Sequence, residues 1–593
     1  MNSPDTFNID IPQQELDRSS FFASNAAAVT AWVEKLPMTD IGKTTQCLFQ
    51  ALTELNKVRL LPAERLAMLN TLRTPVYYAS NALGKHFLNQ PIALPEKPRK
   101  VADLDNELHR LLATGYLIVA SHAIVLAGDN HSVAKALIAP ALHRVITQYS
   151  RNIQRQLQLY KPVNSNNWRE LHQVYCTARL HGVLDHMVED AEFGHCSVEQ
   201  SYIRVLLLGS SKPNQLRQDD LERLFKPATA WAAKCTLETN LSNSLFLVDL
   251  QGEKQPVYSE LQTDANGPQW IGLNTEALSE HLLQARLDAD PGKLHITIDN
   301  CPVSNDLLNH VILAWSKAAH RSSRRQANGG PLAICAGLSS THYFLSGGAN
   351  FASTVAESGQ ASYSVDNENL FMSAKPSSPR PKDLWDGAFE THLDSNNPSL
   401  KAIEYQINEN RSKAQPADTY HSYRVTMINT SDTGYCIALA DATEAPVKAG
   451  EIIGVKEAGD KDWIIAVIRW VSHNGNDQTH LGIERISTKA SALGARIMAK
   501  KGDDNDYMRA ILIPDNSAVS HPDTLLTQRF PFKSGQKVVL SHYGKHRQVK
   551  LGAKLNVIGA YNQFEIHDVA MPRQQIDENG LSTTELDSLW TQL

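Results

Sequence analysis

The sequence predicts a multidomain α+β protein: an α-helical N-terminal array, then an antiparallel β-barrel interrupted by an insertion, then a second β-rich domain. Three observations point there. Apolar residues recur at helical spacing from about residue 20 to 240. Near 240 that period gives way to short runs of strand formers. From Tyr420 onward, such runs are cut by Gly, Asn and Asp clusters about every ten residues, a spacing suited to small barrels. The 593-residue length also demands several cores.

Residues 1–240 form the helical part. AVTAWVEKL, LLPAERLAMLNTLR and DLDNELHRLLATGYLIV each carry an apolar stripe, and Asp103 reads as an N-cap. The most apolar run, Leu111–Ala127, holds Gly115, Ser121 and His122 and is short for a membrane span. A buried core helix is expected there, and no membrane span. NWRELHQVYCTARLHGV hints at a tetratricopeptide-like repeat, without a steady period through the chain.

Residues 241–320 read as an α+β linker domain. NSLFLVDL and GPQWIGLN are strand-like, and a helix at about 304–320 presents Leu307, Leu308, Val311, Ile312 and Trp315 on one face. The barrel is placed at 321–488. Within it QANGG reads as a loop and PLAICAGLSSTHYFL as the first strand. Residues 346–419, rich in Ser, Gly, Pro and Asn, bury little apolar surface and are expected to be a disordered insertion. Strands resume as YRVTMIN, GYCIALA, EIIGVKEA, WIIAVIRWV and HLGIERI. MRAILIPD, QKVVLSHY and HRQVKLGAKLNVIGAYNQFEIHDV predict a second barrel or sandwich over 489–571, with a polar tail at 572–593.

Composition narrows the function. A net charge of −6 argues against DNA and other broad nucleic-acid binding, which needs a basic surface. Seven cysteines, an odd number without a CxxC, suggest free thiols in a reducing cytoplasm. The polar, acidic start lacks the pattern of a signal peptide.

Two stretches could carry chemistry. Arg321-Ser-Ser-Arg324-Arg325 follows a helix, where cations offset the helix dipole. The same guanidiniums are planar forks suited to phosphate oxygens and to stacking on a base. Asn429-Thr-Ser431-Asp-Thr-Gly434 ends a strand. It reads as an Asx or Ser/Thr turn, or as a pocket wall in which Asn429 and Ser431 meet a base edge. There Gly434 would free the backbone to turn or to admit a ligand.

In this order, R-x-x-x-R then N-x-S-x-x-G, the two stretches resemble the PilZ domain. Val467 to Trp470 followed by Gly482-Ile483 is similar to that family's late strands. The resemblance covers 321–345 and 420–488, and the layout resembles large bacterial PilZ-containing proteins. Here the motifs stand about a hundred residues apart, which the insertion explains, since loop entropy rises slowly with length. The resemblance implies a cytoplasmic bacterial receptor for cyclic di-GMP, a ligand rather than a cofactor. Arg321 and Arg325 would clamp phosphates and guanine, with Arg324 as an alternative donor. Asn429 and Ser431 would read the other guanine faces, and Gly434 would permit the turn. Such a protein needs no catalytic group. Ordering of the arginine segment would move the neighbouring helix, and the helical region would meet a protein partner. The alternative is a scaffold or assembly factor whose barrel no longer binds nucleotide.

Other candidates are weaker. HGVLDHMVEDAEFGHC gathers histidines, a cysteine and acids, but its spacing matches no familiar metal motif. A solvated acidic helix face is expected, and no metal site. GLSSTHYFL has a Gly-x-Ser without the remainder of a nucleophile elbow.

Overall fold

The computed structural model describes residues 9, 11–90, 92–127, 132, 134–289, 295–316, 325–355, 420–440, 447–474, 478–498, 506–514, 522–555 and 561–569. Arg321, Arg324, the insertion beyond residue 355 up to 419 and the tail from 570 lie outside these. Packing divides the chain into two compact units. One comprises Met1–Ile334, Tyr423–Glu451 and Ala466–Arg485; the other comprises Cys335–Ser422, Ile452–Ile465 and Ile486–Leu593.

In the first unit, helices Ile41–Leu55, Pro62–Gly84, Glu96–Ala127, Ala139–Gln158, Ser165–Leu180 and Val198–Ser210 build one apolar core. Glu96–Leu126 is long and apolar enough to cross a membrane, and 78% of its apolar window is buried inside the protein. It begins well before Asp103, which is therefore interior to the helix rather than its cap. Ala139–Gln158 is polar yet buried along almost its whole length. It survives burial because many of its polar groups find partners, although Arg144 Nε and Asn152 Oδ1 are buried without one. Arg144 pairs with Asp190, the Arg155 Nε donates to Asp105 Oδ2 at 3.1 Å, and the Gln154 Nε2 donates to Glu222 Oε2 at 2.8 Å. The acidic stretch before Cys196 is not a helix face. It is a hairpin, β1 (Met187–Asp190) with β2 (Gly194–Ser197), whose register places Glu189 opposite His195. Asp190 points into the core. No group of three or more potential metal ligands occurs among the described residues.

Next come β3 (Thr236–Glu238), β4 (Phe246–Asp249), β5 (Val257–Tyr258) and β6 (Trp270–Asn274), in sheet order β3-β6-β4-β5. A hairpin of β7 (His295–Ile298) and β8 (Cys301–Ser304) leads into helix Asn305–Ser316, whose Leu307, Leu308, Val311 and Trp315 are buried.

The first barrel consists of β9 (Gln326–Ala336), β10 (Tyr423–Ser431), β11 (Gly434–Ala440), β12 (Ile452–Glu457), β13 (Ile464–Asn474) and β14 (Gln478–Ser487). They close in the order β10-β11-β14-β13-β12-β9. QANGG is thus the start of β9, not a loop. The strand ends at Ala336, and Gly337–Leu345 is a helix. Gly337 has φ +85°, open to glycine, and turns the chain out of the strand. Leu332, Val425, Met427, Ile437 and Leu481, matched by register, form the buried inner face.

In the second unit, β15 (Ser491–Ile497), β16 (Met508–Ile513), β17 (Thr524–Gln528), β18 (Lys537–His542), β19 (Lys545–Lys554) and β20 (Tyr561–Asp568) close a second barrel, ordered β15-β16-β17-β20-β19-β18. Its core includes Leu493, Leu525, Phe532, Val549 and Phe564. Residues 346–355, expected to be disordered, end instead in the helix Phe351–Val355. The Tyr543 N–H donates to Thr354 O at 2.7 Å, the Ser541 hydroxyl donates to Val355 O at 2.8 Å, and the Phe351 ring lies 4.8 Å from the Arg509 guanidinium carbon. The reason is tertiary: a short apolar segment finds a surface that its composition does not announce. Phe351→Ala should therefore destabilise this barrel by about 1–3 kcal/mol. An unchanged unfolding midpoint in urea would show the helix to be a passenger.

Candidate functional site

β9 and β10 are antiparallel neighbours although residues 337–422 lie between them. Gln326 stands opposite Thr430, and Ala327 opposite Asn429. Arg325, one residue before Gln326, is therefore delivered to the end of β10 that carries Asn429 and Ser431. Neighbouring strands lie roughly 4.8 Å apart.

A register shift decides which way these side chains face. Met427 is opposite Ile437, whereas Asn429 is opposite Cys436, so one residue of β10, Ile428, is extra. Residues directly opposite in a sheet share a face. Met427 thus points inward with Ile437, and Asn429 shares the outer face with Cys436 and Ala327. Without this bulge, strict alternation would turn Asn429 into the core. Ser431, two residues on, shares the Asn429 face, and both are half-buried. The Ser431 Oγ lies 3.4 Å from both Thr433 Oγ1 and the Gly434 carbonyl oxygen, within a two-residue turn.

Gly434 has a reason to be glycine besides a turn or a ligand. Its φ is not left-handed. A Cβ placed on it would overlap the carbonyl oxygen of Ile483 on β14 and lie 3.1 Å from the Glu484 Cα. Glycine here lets two strand backbones close up.

Cys436 records the charge on this face. Burial pushes its thiol pKa up, and the positive charge of Arg325 pulls it back. Arg325 is exposed and Cys436 is buried beneath it. Across β11, Cys436 stands opposite Gly482, and the five-membered ring of Trp470 fills the space that a Cβ on Gly482 would take. From strand to strand the outer face therefore carries Asn429, Cys436 and the half-buried indole of Trp470. Sequence reasoning saw Trp470 only as part of a pattern. Its signal was the glycine at 482, which makes room for a ring.

Arg485 was missed altogether. Its backbone N–H donates to the Thr433 carbonyl at 2.8 Å, and its guanidinium carbon lies 5.2 Å from the Tyr435 ring. It buttresses the turn that follows Ser431. The face thus combines a cation, an amide, a hydroxyl and an aromatic plate. That set can hold a flat polar ring bearing negative charge.

Comparison with known proteins supports the same domain order. The family model for the middle PilZ domain of the cyclic-di-GMP receptor FimW matches residues 245–492. Those for its N-terminal domain and its C-terminal β-barrel domain match 27–242 and 493–569. The cyclic-di-GMP receptor FimW of Pseudomonas aeruginosa is 31% identical over 627 residues, with all of both chains covered. No solved structure matches. A helical N-terminal region, a PilZ barrel and a C-terminal barrel, each matched in order, mean that the chain belongs to the FimW family of cyclic-di-GMP receptors.

Proposed function

We propose that this protein binds cyclic di-GMP on the outer face of its PilZ barrel and passes that event to a protein partner through the helical region. The carrying observation is the pairing of Gln326 with Thr430, which brings Arg325 beside Asn429 and Ser431. In this reading Arg325, with Arg321 and Arg324 before it, holds phosphates and a guanine face. Asn429 and Ser431 take the guanine edge, Trp470 is the plate beside it, and Gly434 acts by letting β11 and β14 close. The site is one of binding, with no catalytic group called upon. Seven free cysteines support a reducing, cytoplasmic setting.

Transmission has a physical route inside the first unit. The Arg217 Nη2 lies 3.2 Å from Glu451 Oε2, and its Nε donates to Ala449 O at 3.2 Å. The His473 N–H, three residues beyond Trp470, donates to Tyr160 O at 2.8 Å. A shift of β13 at the ligand face would therefore be felt at the end of helix Ala139–Gln158.

Calorimetry with cyclic di-GMP on the full chain tests the reading. Arg325→Ala should weaken binding by roughly 1.5–3 kcal/mol, ten- to over a hundredfold. Trp470→Ala should weaken it by about 1–3 kcal/mol, the usual worth of base stacking. Absence of heat at tens of micromolar ligand would favour a scaffold role. Full affinity in Arg325→Ala would show that the clamp lies elsewhere.

A further inference from the structure

A cavity of about 480 Å³ lies within the first unit. It opens where the end of helix Ala139–Gln158, the turn after helix Val198–Ser210, edge strand β5 and strand β13 converge. Its volume is in the usual range for small-molecule sites. Leu157, Val163, Phe246 and Val471 supply apolar wall, and Lys161 and Lys212 supply positive charge. No Asp or Glu is among the lining residues.

Two features set this cavity apart from ordinary surface relief. Tyr160 and Lys212, both in its lining, have φ of +55° and +53°. Left-handed backbone is strained for a non-glycine residue and concentrates at functional sites. Lys212 is also half-buried, and burial depresses its pKa with no carboxylate acting to raise it. Its Nζ lies 5.4 Å from the centroid of the Tyr258 ring, another lining residue. A lysine stem merely covering apolar surface would keep its ammonium in water. This one is drawn in, facing an apolar wall, without a counter-ion.

We propose that this cavity binds a small amphiphilic anion, its carboxylate held by Lys161 and Lys212 and its apolar body lying against Leu157, Val163, Phe246 and Val471. Charge complementarity selects the sign of the ligand, since two ammonium groups without an acid would repel a cation. The apolar wall selects a body that water disfavours. This site is independent of the dinucleotide reading and is tested without the dinucleotide present.

Calorimetry on the full chain would compare decanoate, decanol and decyltrimethylammonium, which share a tail and differ in head. The expected result is saturable binding of decanoate at one site, at least tenfold tighter than decanol, with no measurable binding of the cation. Lys212→Met should reduce decanoate to the level of decanol at an unchanged melting temperature. Lys161→Met, a change at a second position, should remove much of the preference if the Lys212 variant fails to fold. Equal affinity for the acid and the alcohol, absence of saturable decanoate binding, or full preference retained in both variants would overturn the proposal.

Discussion

Gly434→Ala should cost the PilZ barrel about 3 kcal/mol and abolish dinucleotide binding, a large effect for one methyl group. The added carbon would overlap the Ile483 carbonyl oxygen, which belongs to the backbone of β14. A side chain can rotate away, but a strand in a closed barrel cannot. Gly434 pairs with Glu484, Tyr435 with Ile483 and Cys436 with Gly482, so prying β11 from β14 breaks a continuous ladder. The same displacement moves the turn on which Ser431 sits. Amide hydrogen exchange checks this: β11 and β14 should lose protection together. A variant that melts within a degree of the parent and keeps its affinity would show that the strands yield more easily than the geometry implies.

A second large effect is expected far from the ligand face. Asp190 is buried and accepts from Arg73 Nη1 at 2.6 Å and from Arg144, while its other oxygen accepts from the Glu192 N–H at 2.8 Å. Asp190→Asn would leave two buried guanidiniums short of a counter-charge. Breaking such a pair costs roughly 3–5 kcal/mol, so the helical core should unfold at markedly lower denaturant. The pH dependence follows from the same contacts. Burial alone would raise the Asp190 pKa, but Arg73 and Arg144 outweigh it and the net shift is downward. The carboxylate therefore contributes fully above its unfolded value, near ~3.9. That contribution is lost as pH falls through the lower, folded-state value. Below about pH 4 the parent should lose stability with acid more steeply than the variant. Equal stability of the two proteins at pH 7 would mean that neighbouring groups absorb the lost charge.

Much of this protein could be read from local pattern. Strand alternation and turn residues placed YRVTMIN, GYCIALA and HLGIERI in β10, β11 and β14, because a strand of a small barrel buries one face and its turns need Asn, Asp or Gly. The arginine run and the Asn-x-Ser-x-x-Gly stretch were legible for the same reason: their chemistry is carried within a few residues. Leu338 and Phe344, by contrast, suit a strand as well as a helix, and only Gly337 and its surroundings turn Gly337–Leu345 into a helix. The acids before Cys196 looked solvated because nothing local reveals that Arg73 and Arg144 wait in the core.

Periodicity and side-chain chemistry, properties of neighbours in the chain, were thus sufficient to name the architecture and both halves of the candidate site. Three-dimensional packing alone settled that the bulge at Ile428 turns Asn429 outward and that Gly434 is spacing for a backbone rather than freedom for a turn. Those outcomes depend on strands and helices distant in sequence. Free energy gained from a partner brought in by folding is invisible to any window of residues that does not contain it.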